Sequence, residues 1–163
     1  MIKFHLKIIT PKRTLFEEEA TEIIVPTKSG IVTILAKHEP MVSQLSMGDL
    51  TIRDGKNEHI VAVYGGFIHI AAKGVTVLAD SAEHIYEIDE QLAEELVKKA
   101  EAAVKRAQAN RERFAEEEAN LSRSLSHETN VVLAETQAEL LKNLTRLKIY
   151  RKHRSRHGTR FDN

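Results

Sequence analysis

The run Val63-Tyr64-Gly65-Gly66-Phe67-Ile68-His69-Ile70-Ala71-Ala72-Lys73-Gly74-Val75-Thr76-Val77-Leu78-Ala79-Asp80 decides the fold. Its β-branched and aromatic stretches, 67–71 and 75–79, are bounded by Gly65-Gly66 and Lys73-Gly74, the pattern of short strands between glycine turns. Because no helical pattern follows Gly65-Gly66, the pair reads as a bulge or tight turn and not as a phosphate-cradling loop. The same grammar runs upstream. Phe4, Leu6 and Ile8 alternate with His5, Lys7 and Ile9, and Leu50 and Ile52 alternate with Thr51 and Arg53. Residues 22–25, 31–35 and 59–64 are further β-branched runs, separated by turn signals at Thr10-Pro11, Lys28-Ser29-Gly30 and Asp54-Gly55-Lys56-Asn57. Short strands at this spacing, up to about Ala82, predict a small antiparallel sandwich or barrel.

From Asp89 the period changes. Leu92, Leu96, Ala100, Ala103, Val104 and Ala107 recur at three- and four-residue steps, and no Gly or Pro interrupts the chain before Gly158. Asp89 is placed as an N-cap, with Glu90 and Glu94 near the positive end of the helix dipole. Residues 121–127 weaken helix propensity, and a second apolar series, Leu133, Leu140, Leu144 and Leu147, follows. The expectation is an antiparallel helical hairpin joined to the sandwich by a hinge at Tyr86 to Ile88, an α+β chain divided as 1–86, 87–155 and a flexible basic tail, 156–163. Each helix alone would expose an apolar stripe, so the stripes face each other or a partner.

Composition narrows the function. The 163 residues hold 24 basic and 24 acidic side chains, a zero formal charge that removes the global pull of a dedicated nucleic-acid binder. With no Cys there are no disulfides, thiol nucleophiles or cysteine-ligated metals. No run approaches the roughly 18 apolar residues of a membrane span, and the N-terminus has neither a signal nor a transit pattern, so membrane association is expected only through other subunits. His38-Glu39 and Glu83-His84 lack the second histidine of a zinc-protease helix. Nothing pairs a nucleophile with a base, so no catalytic or metal site is expected. Charge is uneven along the helices: Glu112, Glu116, Glu117 and Glu118 are acidic, whereas Arg146, Lys148, Arg151, Lys152, Arg154, Arg156 and Arg160 crowd the C-terminus. That strip is either a solvated face complementing a helix dipole or a docking strip for an acidic protein surface.

Four segments together, Ser29-Gly30-Ile31-Val32-Thr33-Ile34-Leu35-Ala36-Lys37-His38-Glu39-Pro40, Leu45-Ser46-Met47-Gly48-Asp49-Leu50, Val63-Tyr64-Gly65-Gly66-Phe67-Ile68 and Val75-Thr76-Val77-Leu78-Ala79-Asp80-Ser81-Ala82-Glu83, resemble the epsilon subunit of F-type ATP synthases. This is the bacterial and chloroplast type, homologous to the mitochondrial delta subunit. Glu87-Ile88-Asp89 looks like the family's junction to its C-terminal hairpin, and Leu133 to Leu147 like its second helix. The resemblance implies a ten-stranded N-terminal β-sandwich, a two-helix C-terminal domain, and a non-catalytic regulatory subunit of a proton-translocating ATP synthase. It implies a peripheral place on the cytoplasmic face of the cell membrane. The implied partners are the gamma subunit, the c-subunit ring and the alpha/beta catalytic head, with no nucleic acid among them.

On that resemblance, Thr27, Lys28, Ser29, Gly30, Ile31, His38, Pro40, Met41 and Val42 would contact gamma and the c-ring. From the residues alone, Ile31, Met41 and Val42 could equally be sandwich core, and His38 could bond its own loop backbone. Some family members bind ATP through Ile-Asp-x-x-Arg-Ala and basic residues on the second helix. Here Ile88, Asp89 and Ala93 match, with Lys142 and Arg146 as possible cations, but Leu92 replaces the Arg and lacks its fork of donors. No cofactor is expected, ATP being at most a regulatory ligand. The stretch between Asp89 and Val131 is longer than the family's, so the hairpin is expected to be extended or its first helix to overhang. In the family the compact hairpin lies against the sandwich, while the extended one blocks rotation in the hydrolysis direction. Arg146, Lys148, Arg151, Lys152 and Arg154 would then form an inhibitory strip facing acidic loops. The rival is a free-standing β-sandwich binding module whose basic coiled-coil arm docks nucleic acid or an acidic protein. Against nucleic acid stands the near absence of stacking aromatics in the tail, where only Tyr150 and Phe161 occur.

Overall fold

A computed structural model describes residues 2–55, 57–117 and 125–157, with side chains described for 2–112 apart from 56 and for 130–154. Ten strands come first: β1 Phe4–Ile9, β2 Thr14–Ala20, β3 Glu22–Thr27, β4 Gly30–Leu35, β5 Met41–Gln44, β6 Met47–Asp54, β7 Asn57–Tyr64, β8 Gly66–Ala71, β9 Gly74–Ala79 and β10 Ala82–His84. A 3-10 turn, Ile85–Glu87, leads to helices α1 Glu90–Glu117 and α2 Leu125–His157. The strands form two five-stranded sheets, one ordered β2-β1-β9-β8-β5 and the other β10-β7-β6-β3-β4. Among the described residues every ladder is antiparallel except β1 with β9, which is parallel.

Alternation decides which face goes inward. In β1, Leu6 and Ile8 are fully buried while His5 points out. In β8 and β9 the inward set is Ile68, Ile70, Val75, Val77 and Ala79. The other sheet contributes Ile23, Val25, Ile34, Leu50, Ile52, Val61 and Val63 to the same core. Burying each of the Leu, Ile and Val side chains among these is worth about 1.5–3 kcal/mol, so this shared layer is what joins the sheets.

Three of the passages between the sheets, β5 to β6, β7 to β8 and β9 to β10, are stitched together. Leu45 N–H donates to the Gly66 carbonyl at 2.9 Å, Asp80 N–H to the Gly65 carbonyl at 3.3 Å and Tyr64 N–H to the Ser81 carbonyl at 2.9 Å. Gly66 holds φ at 113°, and a Cβ there would lie 2.1 Å from the Leu78 carbonyl oxygen and 2.8 Å from the Ala79 Cα. Only glycine satisfies both the dihedral and the approach. The pair read as a bulge or tight turn is a sheet-to-sheet crossing.

Three strands carry weak signals in the sequence. β2 places Glu17, Glu18 and Glu19 in succession, which suits an exposed edge strand but hides its alternation. β5 and β10 have four and three residues. The region expected to interrupt the helices is partly helical, because α2 already begins at Leu125 and so includes Ser126 and His127. Serine and histidine each lower helix propensity by only a few tenths of a kcal/mol, too little to stop a long helix. Residues 118–124 lie outside those described, as do Lys56 in the β6–β7 turn, the side chains of Glu116 to Glu118, and Gly158 onward with Arg160 and Phe161.

The chain divides into two compact units, Met1–Ile88 with Ile149–Asn163, and Asp89–Lys148. At the end of the strand region, Arg13 forks onto Glu87 with nitrogen–oxygen distances of 2.7 and 2.9 Å. Glu87 also accepts from the His84 N–H at 3.2 Å. The Arg13 hydrogen bond holds the Glu87 carboxyl below the usual carboxylate range, so the segment expected to act as a hinge carries an ion pair to the β1–β2 loop. In the second unit Asp89 is the N-cap of α1, its Oδ1 accepting from the Leu92 N–H at 3.1 Å. Ala93, Val97, Ala100 and Val104 make the buried stripe of α1, and Leu133, Asn143 and Leu147 are buried on α2. Asn143 keeps its amide satisfied by donating to Glu139 one turn earlier.

Gly66→Ala should cost about 3 kcal/mol or more of sandwich stability, through positive φ and backbone overlap together. Gly30→Ala, at φ 124° but with no atom within 4 Å of the added Cβ, should cost only about 1–2 kcal/mol. Urea unfolding followed by sheet circular dichroism checks the ranking. Equal losses would show that the close approach at Leu78 is not limiting.

Candidate functional site

The residues expected to contact partners lie on two edge strands and the loops beside them. β4 is an edge of one sheet and β5 an edge of the other, joined by residues 36–40. The β3–β4 turn is held by Thr27, whose hydroxyl donates to the Gly30 carbonyl at 2.7 Å and accepts from the Ser29 N–H at 3.2 Å. Lys28 N–H donates to the Gln44 carbonyl and Ser46 N–H to the Pro26 carbonyl, both at 3.0 Å, tying this turn to the far end of β5. Thr27 is therefore buried framework, whereas Lys28, Ser29 and Gly30 are exposed.

The ambiguities of the sequence separate here. Ile31 is 78% and Val42 67% exposed, so neither is core. Met41 packs partly buried against the core. The His38 Nδ1 lies 3.0 Å from the Glu39 carbonyl oxygen, the local backbone bond weighed for it, and Pro40 is exposed beside it. The Thr27–Ile31 and His38–Pro40 groups sit at opposite ends of β4, which spans about 20 Å at 3.3 Å per residue. They are two separate regions of the surface and not one loop tip.

Phe67 and Leu78 were not singled out in the sequence, yet they pair across β8 and β9 and are 52% and 50% exposed. With Val42 on the neighbouring β5 they put an apolar group on the outer face of their sheet. The signal was available: with Ile68, Ile70, Val77 and Ala79 inward, period two forces Phe67 and Leu78 outward among His69 and Thr76.

On the helical side, Ile88 is buried and Asp89 commits one carboxylate oxygen to capping α1. Leu92 is 52% exposed. Lys142 and Arg146, one turn apart on α2, are half-buried. Of the basic strip, Lys148, Arg151, Lys152 and Arg154 are exposed and Arg146 is half-buried. Lys152 is not simply solvated: its Nζ lies 2.8 Å from Asp49 Oδ2, and the His153 Nε2 lies 3.1 Å from the same oxygen. Burial opposes the Asp49 charge, but the hydrogen bonds from Lys152 and His153 outweigh it and keep the carboxyl below its ordinary range. Beside these contacts Ile149 and His153 are each 3% exposed. The last turns of α2 therefore pack on the strand unit through one apolar and one polar anchor. Among the described residues no group of three or more His, Asp or Glu is placed to hold a metal. No described helix is long and apolar enough to cross a membrane.

The family model of the ATP synthase delta/epsilon chain β-sandwich domain matches residues 3–85. An ATP synthase epsilon chain of Dehalococcoides mccartyi is 34% identical over 154 residues, 94% of this chain and 96% of its own. The chloroplastic epsilon chain of Jasminum nudiflorum is 37% identical over 119 residues, covering 73% of this chain and 87% of its own. A chain in the mitochondrial ATP synthase structure of Euglena gracilis, described as OSCP/F1/c-ring, shares the fold at a TM-score of 0.57 and 21% identity, over 87% of this chain and 81% of that one. Matched through its sandwich and, in the Dehalococcoides mccartyi relative, along nearly its whole length, the chain belongs to the epsilon-chain family of ATP synthases.

Proposed function

We propose that the chain is a non-catalytic central-stalk subunit whose sandwich joins the gamma subunit to the c-ring and whose helical arm restrains ATP hydrolysis. The observation that carries this reading is the surplus of apolar surface on α2. Leu133 and Leu147 are buried, yet Val131, Val132, Leu141 and Leu144 are 42–56% exposed on the same helix. A helix apolar on more than one side has more to bury than its packing uses. The basic strip follows directly, so an apolar groove rimmed by carboxylates on the catalytic head fits both features. Several screened ion pairs of about 0.2–1 kcal/mol each bias such a two-state element without locking it.

In the sandwich, Val42, Phe67 and Leu78 are the apolar surface for gamma, while the Thr27–Ile31 and His38–Pro40 regions serve as contacts toward the ring. Nucleotide has no part in this reading. Leu92 offers no phosphate donors, and Asp89 already spends an oxygen on its helix cap.

Two experiments test the two halves. Phe67→Asp should weaken binding to purified gamma about ten- to a hundredfold, the loss of about 1.5–3 kcal/mol of side-chain burial. Because Phe67 is half exposed, sheet content should be unchanged, and unchanged gamma affinity would remove this face from the interface. Deleting residues from Asn130 onward should raise ATP hydrolysis by the reconstituted enzyme. The Arg151→Glu/Arg154→Glu pair should give part of that rise, and salt should imitate it, because exposed charges are screened over about 8 Å at physiological ionic strength. Unchanged hydrolysis after truncation would exclude an inhibitory arm. Activation by truncation but not by charge reversal would make the restraint steric or apolar.

A further inference from the structure

The clasp at Asp49 occupies Lys152, a side chain that the inhibitory reading needs elsewhere. Lys152 and His153 both direct their nitrogens at Asp49 Oδ2, and charge-assisted bonds of this kind are stronger than neutral ones. His153 is buried together with Ile149 one turn before it, so the face of α2 they share is covered while the clasp is closed. The clasp also carries a deficit. With Nε2 used on Asp49, the His153 Nδ1 is buried and has no hydrogen-bond partner. Such an unsatisfied atom costs free energy that is recovered when water reaches it, in either protonation state of the ring. The docked turns are thus held by charge and opposed by an orphaned polar atom.

We infer that Asp49 is an internal stand-in for an acidic partner surface: it engages Lys152 and His153 in the docked state, so that docking on the sandwich competes with engagement of carboxylates on the catalytic head. This rests on the reading of α2 as an inhibitory arm and adds the residue that sets its release. A closed clasp withdraws the covered face from the strip. Removing the Asp49 charge frees that face without altering any residue of the arm.

Amide hydrogen exchange on the full chain tests the clasp, and ATP hydrolysis by the reconstituted enzyme tests the competition. Asp49→Asn should speed exchange over residues 149–154 about tenfold, the loss of one charge-assisted contact, and leave β7 unaffected. Lys152→Gln reads the same contact from the helix side and should act in the same direction, and the double variant should exceed neither single change by much. In the enzyme, Asp49→Asn should deepen inhibition, because the arm is freed with its own charges intact. Unchanged exchange in both single variants overturns the clasp. Faster exchange without deeper inhibition overturns the competition, provided that truncation at Asn130 activates. If that truncation does not activate, it is the inhibitory reading that fails, while faster exchange still upholds the clasp.

Discussion

The close approach at Gly66 is the constraint on which the sandwich depends. The chain must leave one sheet after Tyr64 and enter the other within two residues, with its backbone almost touching that of Leu78 and Ala79. Because Leu45 bonds to Gly66, Asp80 to Gly65 and Tyr64 to Ser81 there, three crossings are located by one corner. The register of β8 on β9 follows, and that register sends Ile68 and Val77 into the core and Phe67 and Leu78 to the outside. One pair of glycines thus decides both what the sheets bury together and which apolar surface remains for another protein.

The helices follow a different logic. α1 has one buried stripe, Ala93, Val97, Ala100 and Val104, and its other described positions are polar or small apart from Leu92 and Leu96. α2 has buried and exposed apolar positions together and ends in a dense basic strip. A helix built that way is under-committed to any one packing. The contacts that hold its last turns are correspondingly mixed: Ile149 gains burial, Lys152 and His153 gain Asp49, and the His153 ring loses a partner for Nδ1. Contributions that oppose one another are what an element with two accessible states requires.

Much of this was legible in the residue order, for identifiable reasons. Period two exposed β1 and β6, and β-branched runs between turn signals exposed β3, β4 and β7 to β9. The acidic run in β2 and the brevity of β5 and β10 left those strands to the family resemblance, which implied ten. The Asp89 cap was readable because capping is local. Ile31 and Val42 could not be told from core until the neighbouring strands showed which face they occupy. Asp49 was invisible as a functional residue, since its partners lie more than a hundred positions away and nothing local marks it. The outward pair Phe67 and Leu78 was readable in principle, but only by asking which apolar residues stood on the polar face.

The central claim is that the last turns of α2 exchange between the sandwich and an acidic partner. The chain contains no cysteine, so a Met47→Cys/Tyr150→Cys double variant, with one label two residues from Asp49 and the other two residues from Lys152, accepts two spin labels without further changes. Pulsed electron resonance would give the distance distribution between them in the isolated chain and in the assembled, hydrolysing enzyme. The account predicts a single short population in the isolated chain and a second, longer one in the enzyme, enlarged by Asp49→Asn. One distribution, identical in both settings and insensitive to Asp49→Asn, would contradict it.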